Sequence, residues 1–207
     1  FTVGDVAARP PLGALAGRAL TAPHHGVIRS AFSGQGNAIW VSPRVRVRSH
    51  HVLTLNPRRF RARVSAELDL PVGVQFAWAK ERRIVQAVRI VAGDRTVLVA
   101  NTHCTSFAGE PRIAEAELTR AAWFADSAAR PDDVLVLAGD FNVMSDTAAL
   151  QSLVGSEWGF SAPGPRIDHI LVRGAQVTPL RVWDENRRRR SDGSLLSDHA
   201  PVELEIL

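Results

Sequence analysis

Apolar and polar residues alternate along much of this chain in short bursts, the signature of strands rather than of long helices. From Val45 to Leu55 the pattern has period two, with Arg44, Arg46 and Arg48 set against Val45 and Val47, which predicts a strand with one wet face. Asn37 to Val41 reads as a shorter strand. Arg83 to Ile90 and Thr96 to Asn101 read as a pair joined by the turn Ala92-Gly93-Asp94-Arg95. Val134 to Ala138 is apolar without interruption, as a buried strand is, and Ile167 to Val172, Val177 to Val182 and Val202 to Ile206 supply the last strands.

Helical spacing is clearest at Pro111 to Ala129, where Pro111 suits the first turn and Ile113, Ala116, Leu118, Ala121, Trp123 and Phe124 form an apolar stripe. Ser145 to Leu153 predicts a short helix capped by Ser145 or Asp146. Arg58 to Leu68 is too basic for either template to win, and Pro71-Val72-Gly73 punctuates it. Antiparallel strand pairs interrupted by two helices predict an α+β sandwich and not a doubly wound nucleotide-binding sheet.

Composition narrows the class. A chain of 207 residues with 45% hydrophobic and 22% charged residues is sized and balanced for one folded domain spanning 1–207. The longest apolar runs are strand-sized, far below the roughly 20 residues that cross a bilayer, so a soluble protein without a transmembrane segment is expected. The formal charge is +4 and the pI about 10.7, and Lys80 is the one lysine among 25 basic residues. Arginine forks suit phosphate, and the run Arg187 to Arg190 reads equally as a solvated loop or as a phosphate contact. Cys104 has no intrachain partner and leaves compartment and redox setting open, and nothing in the sequence sets the oligomeric state.

Four polar motifs sit at strand ends: Asn101-Thr102-His103, Gly139-Asp140-Phe141-Asn142, Arg166-Ile167-Asp168-His169-Ile170 and Ser197-Asp198-His199. Each alone is an ordinary turn. From these motifs two histidines, His103 and His199, three aspartates, Asp140, Asp168 and Asp198, and one asparagine, Asn142, make a set suited to metal-assisted hydrolysis of a phosphate ester if they converge at sheet edges. Asp198 is a hard oxygen ligand for Mg²⁺ or Mn²⁺. His199 titrates near neutrality and needs a partner to fix its tautomer, for which Asp168 is the candidate. Asp140 and Asn142, two apart in extended chain, are expected to point the same way and orient a water or a phosphate oxygen.

The ordered set NTHC, GDFN, RIDHI and SDHAPV resembles the endonuclease/exonuclease/phosphatase superfamily, the DNase I-like metal-dependent phosphoesterases, from about Gly36 onward. That resemblance implies a four-layer sandwich of two mixed, mainly antiparallel sheets packed face to face with helices outside. It implies that His103 contacts the scissile phosphate, that Asp140 and Asn142 orient the water or substrate, that Asp198 holds metal, and that His199 with Asp168 moves the proton. Arg83, on a strand similar to the family's basic substrate-facing strand, and Arg188 are lesser candidates for binding substrate, with a surface arginine as the plain alternative for Arg83.

The front of the sequence departs from that pattern. The family's strand ending in asparagine and its later Gln-Glu strand, whose glutamate binds metal, do not appear, and Phe1 resembles a residue just downstream of Gln-Glu. An N-terminally truncated domain is therefore expected. The leading expectation is a Mg²⁺- or Mn²⁺-dependent phosphomonoesterase or phosphodiesterase with a phosphate-ester substrate, nucleic acid included. The alternative is a non-catalytic polyanion-binding module on the same scaffold. The adjacent pairs His24-His25 and His50-His51 are expected not to chelate, His169 to pack or hydrogen-bond, Cys104 not to act as a nucleophile, Met144 to fill a gap, and the five tryptophans to pack core and rim.

Overall fold

The computed structural model describes residues 2–3, 37–80, 82–107 and 109–207. Five strands build the central sheet: β3 (Arg46–Thr54), β4 (Ile84–Ala92), β5 (Arg95–His103), β6 (Val134–Asp140) and β7 (Asp168–Arg173), hydrogen-bonded in that order. All neighbours are antiparallel except β5 and β6, which run parallel and are joined by the 17-residue helix α3 (Arg112–Ala128). A parallel pair needs such a crossover. Before the sheet, β1 (Thr2–Val3) pairs antiparallel with β2 (Ile39–Trp40). Helices α1 (Arg58–Glu67) and α2 (Val72–Ala79) fill the β3–β4 connection, and α4 (Ala148–Val154) follows β6. A second sheet of two strands, β8 (Arg181–Val182) and β9 (Val202–Glu203), closes the order. Gly36, His24 and His25 lie outside the described residues.

Side-chain alternation gives the sheet two different faces. One face carries Val85, Ala87, Leu98, Ala100, Leu135, Leu137 and Leu171, which meet Ala114, Leu118, Ala121 and Ala125 of α3 in the main core. Each such leucine, removed wholly from water, contributes about 1.5–3 kcal/mol. The other face carries Val97, Val134, Val136 and Val172 and is covered by Val177, Leu204 and Ile206 from the segments around the second sheet. The expected α+β sandwich is present, with helices on one side and the small sheet on the other.

Several local expectations need correction. The ambiguous basic stretch is helix α1, held by Phe60 and Val64 one turn apart, and α2 starts straight after Pro71. Arginine is a good helix former, and only a narrow apolar stripe is required because Phe60 meets Trp78 edge-on at 6.1 Å between ring centroids. Helix α4 is capped by Thr147, whose hydroxyl accepts from Leu150 N, not by Ser145 or Asp146. The last two strands are shorter than their alternation suggests, with only an isolated bridge from Val177 to Ile206 beyond β8 and β9. Trp40 and Met144 are exposed rather than packed, Trp40 at 78%, whereas Trp123, though exposed, packs at the rim with its ring edge-on to Trp158, 5.0 Å between centroids.

Candidate active site

Strand register assembles the site. His103 at the end of β5 is opposite Asp140 at the end of β6, and Asp140 is opposite Asp168 at the start of β7, so three of the four motifs fall in one row across the sheet. Gly139 makes this row attainable: at φ +141° a Cβ there would lie 1.9 Å from the carbonyl oxygen of Thr102, so only glycine lets β5 and β6 approach beside His103 and Asp140.

The fourth motif arrives from the loop before β9. His199 Nδ1 lies 2.9 Å from Asp168 Oδ2 and 3.1 Å from Oδ1. An ionised carboxylate only accepts, so Nδ1 carries the proton and the neutral ring offers Nε2 as its acceptor. Nε2 is 3.9 Å from Asp140 Oδ2, and the same oxygen is 3.4 Å from His103 Nε2. The hydrogen bond that His199 donates to Asp168, followed by the charges of Asp168, Asp140 and Asp198, raises the His199 pKa above its ordinary 6.5. Ligand atoms of Asp140, Asp168 and His199, all half-buried, lie within 4.8 Å of one another.

Asn142 takes part differently from the extended-chain expectation. The strand ends at Asp140 and Asn142 adopts φ +50°, a left-handed conformation that asparagine tolerates. Its backbone N–H donates to Asp140 Oδ1 at 3.0 Å, while its side-chain Nδ2 donates to the carbonyl of Cys104 at 2.9 Å. Asn142 thus fixes one oxygen of Asp140 and ties the β5 end to the β6 end. Arg166, two residues before Asp168, also has positive φ, +71°, so two of the three non-glycine positive-φ residues among those described flank the site.

Beneath it, Glu117 of α3 was not singled out by its sequence context. It is wholly buried and accepts from Trp78 Nε1 at 2.7 Å, Thr105 N at 2.7 Å and Thr105 Oγ1 at 2.9 Å, anchoring the chain two residues beyond His103. Burial raises its pKa. Only the conjunction of a carboxylate with the helix's apolar stripe hinted at it.

A cavity of about 340 Å³ adjoins the cluster, and its charged lining is Arg166, Asp168, Arg188, Asp198 and His199. Asp198 is exposed beside this cavity and is not one of the three converging ligands. Arg188 donates from Nη1 to the carbonyl of Ser197 at 3.1 Å, bracing the Ser197-Asp198-His199 turn. The arginine run is a structured excursion between β8 and β9 that includes a 3₁₀ turn, Glu185–Arg188. Arg83 does not line this cavity and is no surface residue: it is 7% exposed, and its charge acts on Glu117 and Cys104 in the interior. Cys104 is fully buried with its pKa pushed well up by burial, which suits no nucleophile. His169 is buried, with Nε2 2.8 Å from the Val143 carbonyl and its pKa lowered by burial. His50 and His51 are exposed on β3 and outside the ligand cluster.

The model of the Endonuclease/Exonuclease/phosphatase family matches residues 3–199. None of the curated proteins matches the chain in sequence. Among solved structures, a functionally unknown conserved protein from Enterococcus faecalis V583 is 19% identical with a TM-score of 0.61, over 86% of this chain and 74% of that one. The human Nocturnin catalytic domain with bound sulfate is 13% identical with a TM-score of 0.55, over 89% of this chain and 70% of its own. Humanized D. rerio TDP2 is 13% identical with a TM-score of 0.54, over 76% of this chain. The chain spans 63% of that TDP2 chain, less than two thirds of its length. At these identities the likeness is one of fold.

Proposed function

Because the chain belongs to the Endonuclease/Exonuclease/phosphatase family, we propose that it hydrolyses phosphate monoesters or diesters with a divalent metal ion, at the cluster of Asp140, Asp168 and His199. The observation that carries this reading is the pairing of His199 with Asp168, which leaves Nε2 facing Asp140. Asp168 holds the tautomer, and His199 Nε2 takes a proton from the attacking water or gives one to the phosphate. Asp140, with one oxygen fixed by Asn142, orients the water through the other. His103, across the strand pair from Asp140, donates to a phosphoryl oxygen.

The donor set fits a metal of this kind. Carboxylates of Asp140 and Asp168 converge with an imidazole, and Asp198 adds a carboxylate on the adjoining cavity, oxygen-rich ligands of the sort Mg²⁺ and Mn²⁺ take. We assign the ion to Asp198, the water to Asp140 and the proton to His199. A bound ion supplies neutralisation of the phosphoryl and leaving oxygens. Hydrolysis of bis-p-nitrophenyl phosphate and p-nitrophenyl phosphate, measured with added Mg²⁺ or Mn²⁺ and again with chelator, tests the reading. Turnover that needs the metal is the expected result; salt-sensitive polyanion binding without turnover under any metal condition would replace it with the binding-module alternative.

No helix among the described residues is long and apolar enough to cross a membrane.

A further inference from the structure

The lining of the cavity beside His199 is mixed. Besides the charged groups already named it includes apolar residues, among them Ile167, Val182 and Val202, and one large ring, Trp183. A phosphate needs only the charged groups, and the apolar ones suit something attached to the phosphate.

Trp183 is held in place from three directions. Its backbone N–H donates to the Pro201 carbonyl at 2.9 Å, and its Nε1 donates to Glu203 Oε2 at 2.8 Å. The other oxygen of Glu203 is taken by Arg181. The guanidinium of Arg187 sits over the indole, 4.0 Å from the ring centroid, at cation–π distance. An indole has two faces. One stacks on Arg187, and the ring also borders the cavity. The next residue, Arg188, has a side-chain Nε that is buried without a hydrogen-bond partner. Arg188 also lines the cavity, which sets its guanidinium beside any acceptor bound there.

We propose that Trp183 and Arg188 form a recognition subsite for phosphate esters that carry a planar aromatic group, with the aromatic group against Trp183 and a phosphate oxygen on Arg188. This rests on the hydrolase reading for its context but not for its test, because binding is measured apart from turnover. The shared ligand chemistry is a planar ring on the ester side of the phosphate, carried directly by the ester oxygen in an aryl ester and beyond the sugar in a nucleobase-bearing ester.

The test is calorimetric affinity for thymidine 5′-monophosphate, phenyl phosphate and methyl phosphate in the wild type, Trp183→Ala, Trp183→Phe, Trp183→Leu and Arg188→Ala. Wild-type protein is expected to bind at least one aromatic ester about tenfold tighter than methyl phosphate, the scale of one stacked base. Which of the two aromatic esters is preferred separates the nucleobase from the aryl source. Trp183→Ala and Trp183→Leu should erase that preference while methyl phosphate binding holds, and Trp183→Phe should keep most of it. Arg188→Ala should weaken all three ligands alike. Equal affinities for the three ligands in the wild type, absence of binding, or an unchanged preference in Trp183→Leu would overturn the subsite. A Trp183-dependent preference in a protein that turns over no phosphate ester would retain the subsite and overturn the hydrolase.

Discussion

His199 and Asp168, 31 positions apart in the chain, meet at 2.9 Å between Nδ1 and Oδ2, and this contact sets the chemistry of the site. It places the imidazole proton on Nδ1 and turns Nε2 toward Asp140. It also favours the charged imidazole, so the His199 pKa lies above 6.5. A raised value means that the contact stabilises the fold fully below pH 6.5 and loses that contribution as pH rises through the folded-state value.

In metal-free protein, the His199 ring should therefore titrate above the ordinary histidine range in an NMR pH series. Asp168→Asn removes the first and largest cause of the shift and should bring the midpoint down. A midpoint that Asp168→Asn leaves unmoved would place the cause elsewhere.

Glu117 offers a stability test. Replacing it by alanine leaves the Trp78 indole N–H, the Thr105 amide and the Thr105 hydroxyl without their acceptor in the interior, and the loss should reach about 3 kcal/mol or more. Glu117→Gln keeps one acceptor oxygen and should cost less. Urea unfolding of both variants decides, and near-equal losses would contradict the hydrogen-bonding account.

Gly139 tests the register that builds the site. Alanine there collides with the Thr102 carbonyl and should cost more than about 2 kcal/mol while disturbing His103 and Asp140. A Gly139→Ala protein with wild-type unfolding midpoint would show that β5 and β6 do not approach so closely.

Cys104 is buried and its thiol is held protonated well above the usual range. Alkylation by iodoacetamide at pH 8 should be slow in the native protein and fast in denaturant. Rapid native reaction would contradict its place in the core.

Strand-end chemistry was legible in the sequence because each motif follows or precedes an apolar run whose type is unmistakable: Val134 to Ala138 leads straight to Asp140, and Ile170 to Val172 follows Asp168. The pairing of His199 with Asp168 was also legible, since an imidazole of fixed tautomer needs a carboxylate. What local pattern could not carry was the turn after a strand. Asn142 leaves the extended conformation at once, so period-two reasoning could not anticipate the bond from its side chain to the Cys104 carbonyl. The surface alternative for Arg83 failed for a related reason: a charge at a strand start looks exposed, yet the packing around it leaves Arg83 only 7% exposed.

The most direct measurement is turnover of bis-p-nitrophenyl phosphate with saturating Mg²⁺ or Mn²⁺ by the wild type, Asp140→Asn and His199→Ala, with folding of each checked by circular dichroism. Metal-dependent turnover in the wild type that falls at least about 100-fold in both folded variants is predicted, the scale of a lost acid–base group. Turnover that survives in either folded variant, or that is absent from the wild type with every metal, would contradict the assignment of hydrolysis to Asp140, Asp168 and His199.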